Sequence, residues 1–441
     1  MLLPFGRAYP VDPVHPFAVR KLIAAARAGM VVVFPEGRLT VTGRPMKIYD
    51  GAAFIAAKAG APIVPVRIDG LEPTVFSRVS GAQVRRRWFP RVKVTILPPL
   101  PPGDALAARL RATMRDLPFA TFNIERTVIA ALTDAARRHG GRRYIIADQS
   151  GRSERHRALI TRAARLGARL APLGAIGKAV GVMLPNDCDT VAVILGLMAA
   201  GRVPAMVDCS RDPESVLSWC RAANITTIVT SAACLEDPRL AGLTASVAHV
   251  AGIVLAKELQ DAEHDASAAS PTGTTRLGDP ALILHGSDDR GVVHTHRDLL
   301  SHAAHILAHV DLTRTDRVFT ALPLSHRSGF MAGVLVPLLS GARSMLYAGS
   351  RYPGLVADAL YNANATVLFD SVANLADYAR AANSFDFRSL RYVFACDGPV
   401  EPDLQRAFHD KFGLRVLPCP GCLEPAVPVA PSIPIRAAQA A

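Results

Sequence analysis

Residues 31–66 read VVVFPEGRLTVTGRPMKIYDGAAFIAAKAGAPIVPV, and this stretch decides how the first part of the chain is built. Val31, Val32 and Val33 form an apolar run that predicts a short buried strand, ended by Phe34-Pro35. Glu36-Gly37-Arg38 then sets a carboxylate, a flexible backbone and a guanidinium at the strand's C-terminal end, where open α/β sheets bind their ligands. Arg38 has the planar fork suited to a phosphate. The small residues of 51–60 predict a helix, and 62–66 a second buried strand. The plainer alternative is a strand–turn–helix with a solvated Glu–Arg pair.

Upstream, Val19, Leu22, Ile23 and Ala26 share one face of a helix over 16–27, with Arg20, Lys21 and Arg27 on the other. Downstream, 92–97 reads as a strand and 105–115 as a helix. From about residue 122 the pattern changes to regular alternation. Helices are expected at 124–138, 152–169, 189–200 and 214–223, and strands at 144–147, 179–184, 204–207 and 226–230. Such alternation means βαβ units around a parallel sheet. Ser210 or Asp212 can cap the helix near Pro213. Residues 261–275 are small, polar and Gly/Pro-bearing, and read as a loop. The fold class is therefore α/β, in two parts.

The chain has 441 residues, enough for two or three cores, and a formal net charge of +13. That balance favours anionic partners such as phosphorylated substrates or acidic lipid headgroups. An Arg- and Ala-rich composition accounts for part of it. The densest basic spot is Arg85-Arg86-Arg87-Trp88-Phe89-Pro90-Arg91, where aromatics beside arginines fit a membrane interface better than a solvated face. No nucleic-acid module is visible, so nucleic acid is not an expected partner. The seven cysteines are scattered and mostly in apolar surroundings, which points to buried thiols rather than a disulfide framework. Cys419-Pro-Gly-Cys422 has C-x-x-C spacing but opens no helix. No signal peptide is seen, and no apolar run reaches the length of a membrane span.

The segment FPEGRLTVTG, followed by MKIYDGAAFIAAKAGAPIVPVRIDG, resembles the glycerolipid acyltransferase family, and within it the bacterial bifunctional 2-acylglycerophosphoethanolamine acyltransferase/acyl-acyl carrier protein synthetases. The resemblance implies that Glu36, Gly37 and Arg38 bind the substrate phosphate. It also implies a catalytic His, four residues and an Asp, in which the His acts as general base. No histidine of this chain has an aspartate five positions later. Residues 1–118 thus look like the C-terminal half of an acyltransferase domain.

GVMLPNDCDTVAVILGLMAAGRVPAMVDCS at 181–210, RAANITTIVTS at 221–231, DRVFTALPLSHRSGF at 316–330 and the segment 361–395 resemble the adenylate-forming, AMP-binding ligases. They look most like the synthetase half of the same bifunctional enzymes. Residues 119–441 then correspond to the large N-terminal domain of such a ligase. The family cradles ATP phosphates in a Gly/Ser loop with a Lys, an arrangement that offsets phosphate charge. Here the corresponding residues are Gly286, Ser287, Arg290 and Gly291, with Asp288 and Asp289 between them and about four positions fewer. His326 matches the family's L-P-L-F-H histidine and is the candidate catalytic residue. Gly421 and Glu424 match the Gly-Tyr-Gly-x-Thr-Glu motif, which makes Glu424 the candidate magnesium carboxylate, while Pro420 stands where the adenine-stacking aromatic belongs.

By resemblance the parent activity uses ATP and Mg²⁺ to activate a fatty acid and load it onto acyl carrier protein. The acyl group then passes to a lysophospholipid, 2-acylglycerophosphoethanolamine, at the inner membrane face, by a cytoplasmic, peripherally bound protein. The departures in the motifs, and the family's ribose-binding Asp and catalytic Lys expected beyond residue 441, predict impaired activity. They leave open a non-catalytic remnant that binds lipid, acyl carrier protein or a protein partner.

Overall fold

The computed structural model describes residues 16–37, 40, 47–79, 84, 86–120, 122–249, 251–257, 276–285, 291–349 and 352–420. The chain separates into two compact units, residues 1–122 and 123–441.

In the first unit the helices Pro16–Ala28, Gly51–Ala59 and Leu106–Ala120 accompany a two-stranded antiparallel ribbon, β1 (Val66–Asp69) with β2 (Lys93–Ile96). The Ala-rich helix Gly51–Ala59 packs against both other helices. Ala53 and Ala56 meet Leu106 and Leu110 in a small core, since side chains this short let the helices close up. Gly60, at φ 68°, ends that helix in the left-handed conformation.

The two strands expected in the opening stretch differ from the structure. Residues 31–33 are not a strand, and Val32 is 74% exposed. An apolar run becomes a buried strand only where neighbours offer both a ladder and a covering layer. No strand pairs with 31–33 among the described residues. The second strand begins only at Val66, after a single bridge from Ile63 to Leu100, and its apolar residues are exposed.

The second unit holds two mainly parallel sheets. The six-stranded sheet consists of β5 (Ala179–Met183), β6 (Val203–Met206), β7 (Thr227–Thr230), β8 (Gly252–Leu255), β9 (Pro280–His285) and β10 (Gly291–Thr295), in the order β10-β9-β6-β5-β7-β8. Only β10 runs antiparallel to its neighbour. The seven-stranded sheet consists of β3 (Tyr144–Asp148), β4 (Ser153–Arg155), β11 (Arg317–Thr320), β12 (Arg343–Leu346), β13 (Val367–Ser371), β14 (Tyr392–Cys396) and β15 (Val416–Pro418), in the order β15-β14-β13-β11-β12-β3-β4. Here only the edge strand β4 is antiparallel.

The helix Cys188–Ala199 is apolar on all sides and almost wholly buried, because it touches β3 of one sheet and β5 and β6 of the other. It crosses the helix His156–Leu170 at Gly167 and Gly196, where a Cβ on Gly167 would lie 2.7 Å from the Gly196 carbonyl oxygen. The helix expected over 152–169 starts later than its arginine pattern suggests. Asp148 accepts hydrogen bonds from the Ser150 backbone and hydroxyl, and Gly151 at φ 84° completes a turn. Residues 153–155 therefore pair back onto β3 before the helix begins at His156.

The helix before β3, Val128–His139, starts at the Thr127 cap rather than at residue 124. Asp187, Asp212 and Ser371 cap the helices that follow β5, β6 and β13, with each side-chain oxygen accepting the backbone N–H three residues on. These caps fix where each chain segment leaves the sheet, and so where the loops at the strands' carboxyl ends lie.

Candidate functional site

The carboxyl ends of parallel strands are where this architecture gathers ligand-binding groups. Three loops meet there through one side chain, Asn186, which follows β5. Its amide nitrogen donates to the carbonyls of Leu322 (3.0 Å) and Tyr347 (3.2 Å), and its oxygen accepts from Leu324 N–H (3.0 Å). Asn186 thus ties the six-stranded sheet to the loops after β11 and β12.

His326 stands at the end of the β11 loop, as the cap of a helical run that continues from Arg327 to Ser340 with a wider π turn at Met331–Leu335. Turns of this kind recur at functional sites. The His326 Nδ1 accepts the Ser328 N–H at 3.2 Å, which leaves the neutral ring's proton on Nε2. That nitrogen lies 3.7 Å from Asp397 Oδ1, with the imidazole 44% and the carboxylate 35% exposed. The Ser328 hydroxyl also donates to Asp397, at 3.3 Å. Asp397 directly follows β14 at φ 74°, a left-handed conformation that aspartate tolerates better than most residues. A Cβ on Gly329 would fall on the Pro323 carbonyl oxygen, so the helix start is pressed against the loop that carries His326.

On β13, the strand between β11 and β14, the buried Asp370 carboxylate accepts from the Tyr378 hydroxyl (2.8 Å), the Asn374 amide (2.6 Å) and the Ser371 N–H (2.8 Å). Phe369 and Phe394 stack with ring centroids 4.7 Å apart. At the end of β3, burial pushes the Asp148 carboxyl up. Hydrogen bonds from Ser150 and from the Cys188 N–H outweigh it and hold the group below its ordinary value. Burial pushes the Cys188 thiol strongly up and the Cys209 thiol up to about 12, so neither is a ready nucleophile. The six cysteines among the described residues are free thiols. Cys422 lies outside the described residues.

Of the candidate site residues singled out by sequence, His326 is set by the structure between Ser328 and Asp397. Gly291 opens β10 opposite His285. Gly286, Ser287, Arg290, Gly421 and Glu424 lie outside the described residues, as do Arg38, Arg85, Asp288, Asp289 and 261–275. In the first unit Glu36 is half-buried in the turn 35–37, and Gly37, at φ 67°, has the Tyr49 ring against it. Among the described residues no group of three His, Cys, Asp or Glu side chains could hold a metal ion. Sequence reading missed Asn186, which follows the expected strand 179–184, and missed the pairing of Asp397 with His326. An asparagine just after a strand end is a signal, but its three partners are backbone atoms 136 to 161 residues away.

The model of the family described as AMP-binding enzyme matches residues 132–438, and that of the acyltransferase family matches 15–69. The chain is 27% identical over 312 residues to a sulfoacetate–CoA ligase of Cupriavidus necator, covering 68% of this chain and 60% of that one. It is 24% identical over 254 residues to an oxalate–CoA ligase of Arabidopsis thaliana, covering 55% of this chain and 49% of the other. The chain thus spans about half to three-fifths of the length of these relatives. The anthranilate CoA ligase AuaEII, solved with anthranoyl-AMP, shares the fold with a TM-score of 0.60 at 17% identity, over 68% of this chain and 59% of that one. Apo MatB from Rhodopseudomonas palustris does so with a TM-score of 0.57 at 20% identity, over 66% and 58%. The matched span, 132–438, takes in both parallel sheets from β3 onward and the loops that meet at Asn186 and His326, and over it the chain belongs to the AMP-binding enzyme family.

Proposed function

We propose that residues 123–441 activate a carboxylic acid, a fatty acid by sequence resemblance, with ATP, for transfer to an acyl carrier, and that they do so with weakened hold on the nucleotide. The observation that carries this reading is the convergence of Asn186, His326 and Asp397 at the carboxyl ends of β5, β11 and β14. There His326 carries its Nε2 proton on the side of Asp397, with the imidazole 44% exposed. Such a donor can orient a carboxylate or a phosphoryl oxygen as charge develops on it. In the same reading Glu36, Gly37 and Arg38 of the first unit meet the phosphate of a lysophospholipid acceptor. The acyltransferase match over 15–69 supports that assignment.

ATP chemistry of this family draws on Mg²⁺. Glu424 is the carboxylate that resemblance assigns to the ion. The Asp288-Asp289 pair, between β9 and β10 in sequence, sets like charge within the stretch that resemblance assigns to the triphosphate. Losing loop contacts at about 1–3 kcal/mol each takes a micromolar site to about millimolar. That same pair favours the second reading, a non-catalytic unit that retains only acyl or partner binding.

Titration calorimetry with Mg-ATP, followed by fatty-acid-dependent pyrophosphate exchange at saturating ATP, separates the two. The expected result is a Kd of about 1 mM or weaker and a slow exchange that His326→Ala abolishes. Exchange absent at saturating ATP would leave the non-catalytic reading. A micromolar Kd lost in Arg290→Ala would make Arg290 a working substitute for the loop lysine.

A further inference from the structure

The ribbon of the first unit is turned inside out. Its cross-strand pairs Val66–Ile96 and Ile68–Val94 share one face, yet these side chains are 45%, 68%, 44% and 57% exposed. The alternate residues Arg67 and Asp69 form an ion pair at 2.6 Å and are better shielded, with side chains 23% and 31% exposed. At the ribbon's far end, two loops carry the aromatic side chains Phe76, Trp88 and Phe89, which are 91%, 78% and 96% exposed. These loops are stitched into one knob. The Arg86 guanidinium donates to the carbonyls of Glu72 (3.3 Å), Thr74 (2.7 Å) and Val79, and the Arg87 N–H donates to the Pro73 carbonyl at 2.7 Å. Gly70, at φ 92°, lies so close to the Arg91 carbonyl that no side chain fits between them. The aromatic tips are therefore held outward by a braced loop pair.

We propose that this ribbon and its knob form a docking surface for an anionic lipid bilayer, independently of the ligase reading above. Charge selects that partner. Residues 66–96 contain seven basic and two acidic side chains. The acids are engaged locally, Asp69 with Arg67 and Glu72 with the Gly70 N–H. A second copy would bring the same basic collar onto this face, and like charge would oppose the pairing. An acidic membrane surface attracts the collar of Arg78, Arg87, Arg91 and Lys93, while tryptophan and phenylalanine fit the boundary between headgroups and acyl chains. The attachment is peripheral, since no helix among the described residues is long and apolar enough to cross a membrane.

The two tryptophans make the test direct, because Trp219 is 1% exposed and Trp88 is on the knob. In the full chain carrying Trp219→Phe, fluorescence reports Trp88 alone. Vesicles of phosphatidylcholine with phosphatidylglycerol are expected to shift that emission to the blue, and brominated acyl chains to quench it. Pure phosphatidylcholine vesicles should do much less, and high salt should reverse the binding. In flotation, Arg91→Ala with Lys93→Ala should lower partitioning about thirtyfold. Trp88→Ser with Phe89→Ser, at exposed sites, should abolish it while leaving the circular dichroism unchanged. Equal binding to neutral and acidic vesicles, or no spectral change with either, would overturn the proposal. So would a dimer in light scattering that Phe89→Ser dissolves, since a second copy would then be the occupant.

Discussion

At the scale of single residues, Asn186 and Asp397 show how the site is held. An asparagine amide offers two donors and one acceptor at fixed angles, and all three find backbone partners on loops from the other sheet. Replacing it by leucine keeps the bulk but strands two carbonyls and one N–H. Asn186→Leu is expected to cost about 2–4 kcal/mol in urea unfolding, at about 1 kcal/mol per bond plus the orphaned groups. It should also lower any His326-dependent activity more than the stability loss accounts for, because the His326 loop is then unanchored. Little change in either would mean that the three loops hold one another without it. The role of Asp397 as the near neighbour of His326 depends on β14 lying two strands from β11, which no local pattern states.

At the scale of elements, the alternation of helices and strands after residue 122 followed from periodicity and capping, and the structure has it. Asp212 caps the helix Pro213–Ala222, as read from the sequence. The departures came where a neighbour decided the matter. Residues 153–155 became a strand because a turn at Ser150-Gly151 brought them beside β3, and residues 31–33 stayed unpaired. Close helix packing gives a sharp expectation. Gly196, like Gly167, has the opposite helix against it, with a Cβ at 3.0 Å from the Ala163 carbonyl oxygen. Gly167→Val must therefore force apart a helix pair that sits between two sheets. A fall in Tm of about 5 °C is expected, from a destabilisation of about 3 kcal/mol in a unit of this size. Gly278→Val, with open space around it, serves as the control. A Gly167→Val protein that melts with the wild type would show that the crossing can relax.

For the whole molecule, burial of imidazoles ties stability to pH. Burial holds His139 and His294 down to about 3, with nearby Arg138 and His302 respectively adding to it, and holds His156 and His296 down to about 4. Both ring nitrogens of His156 lack a hydrogen-bond partner in the fold. Between these values and 6.5 the unfolded chain binds more protons than the folded one. Stability is therefore complete above pH 6.5 and falls as pH drops, by up to about 1.4 kcal/mol per unit for each group. Urea midpoints measured from pH 7.5 to 4.5 should fall steadily below 6.5, and His156→Leu should flatten part of that slope. A flat profile would mean that water reaches these rings. The sequence by itself determined the α/β class, the cap before Pro213, the apolar strands after residue 122 and the motifs of the AMP-binding family, because each is written within a few neighbouring residues through periodicity, side-chain chemistry or spacing. Only the tertiary structure decided that 31–33 is unpaired, that the Val66–Ile96 face is open, and that Asn186 and Asp397 meet the His326 loop. Those outcomes depend on which segments lie side by side across about thirty to more than a hundred and fifty residues, and hydrogen bonding and burial are satisfied or denied only there.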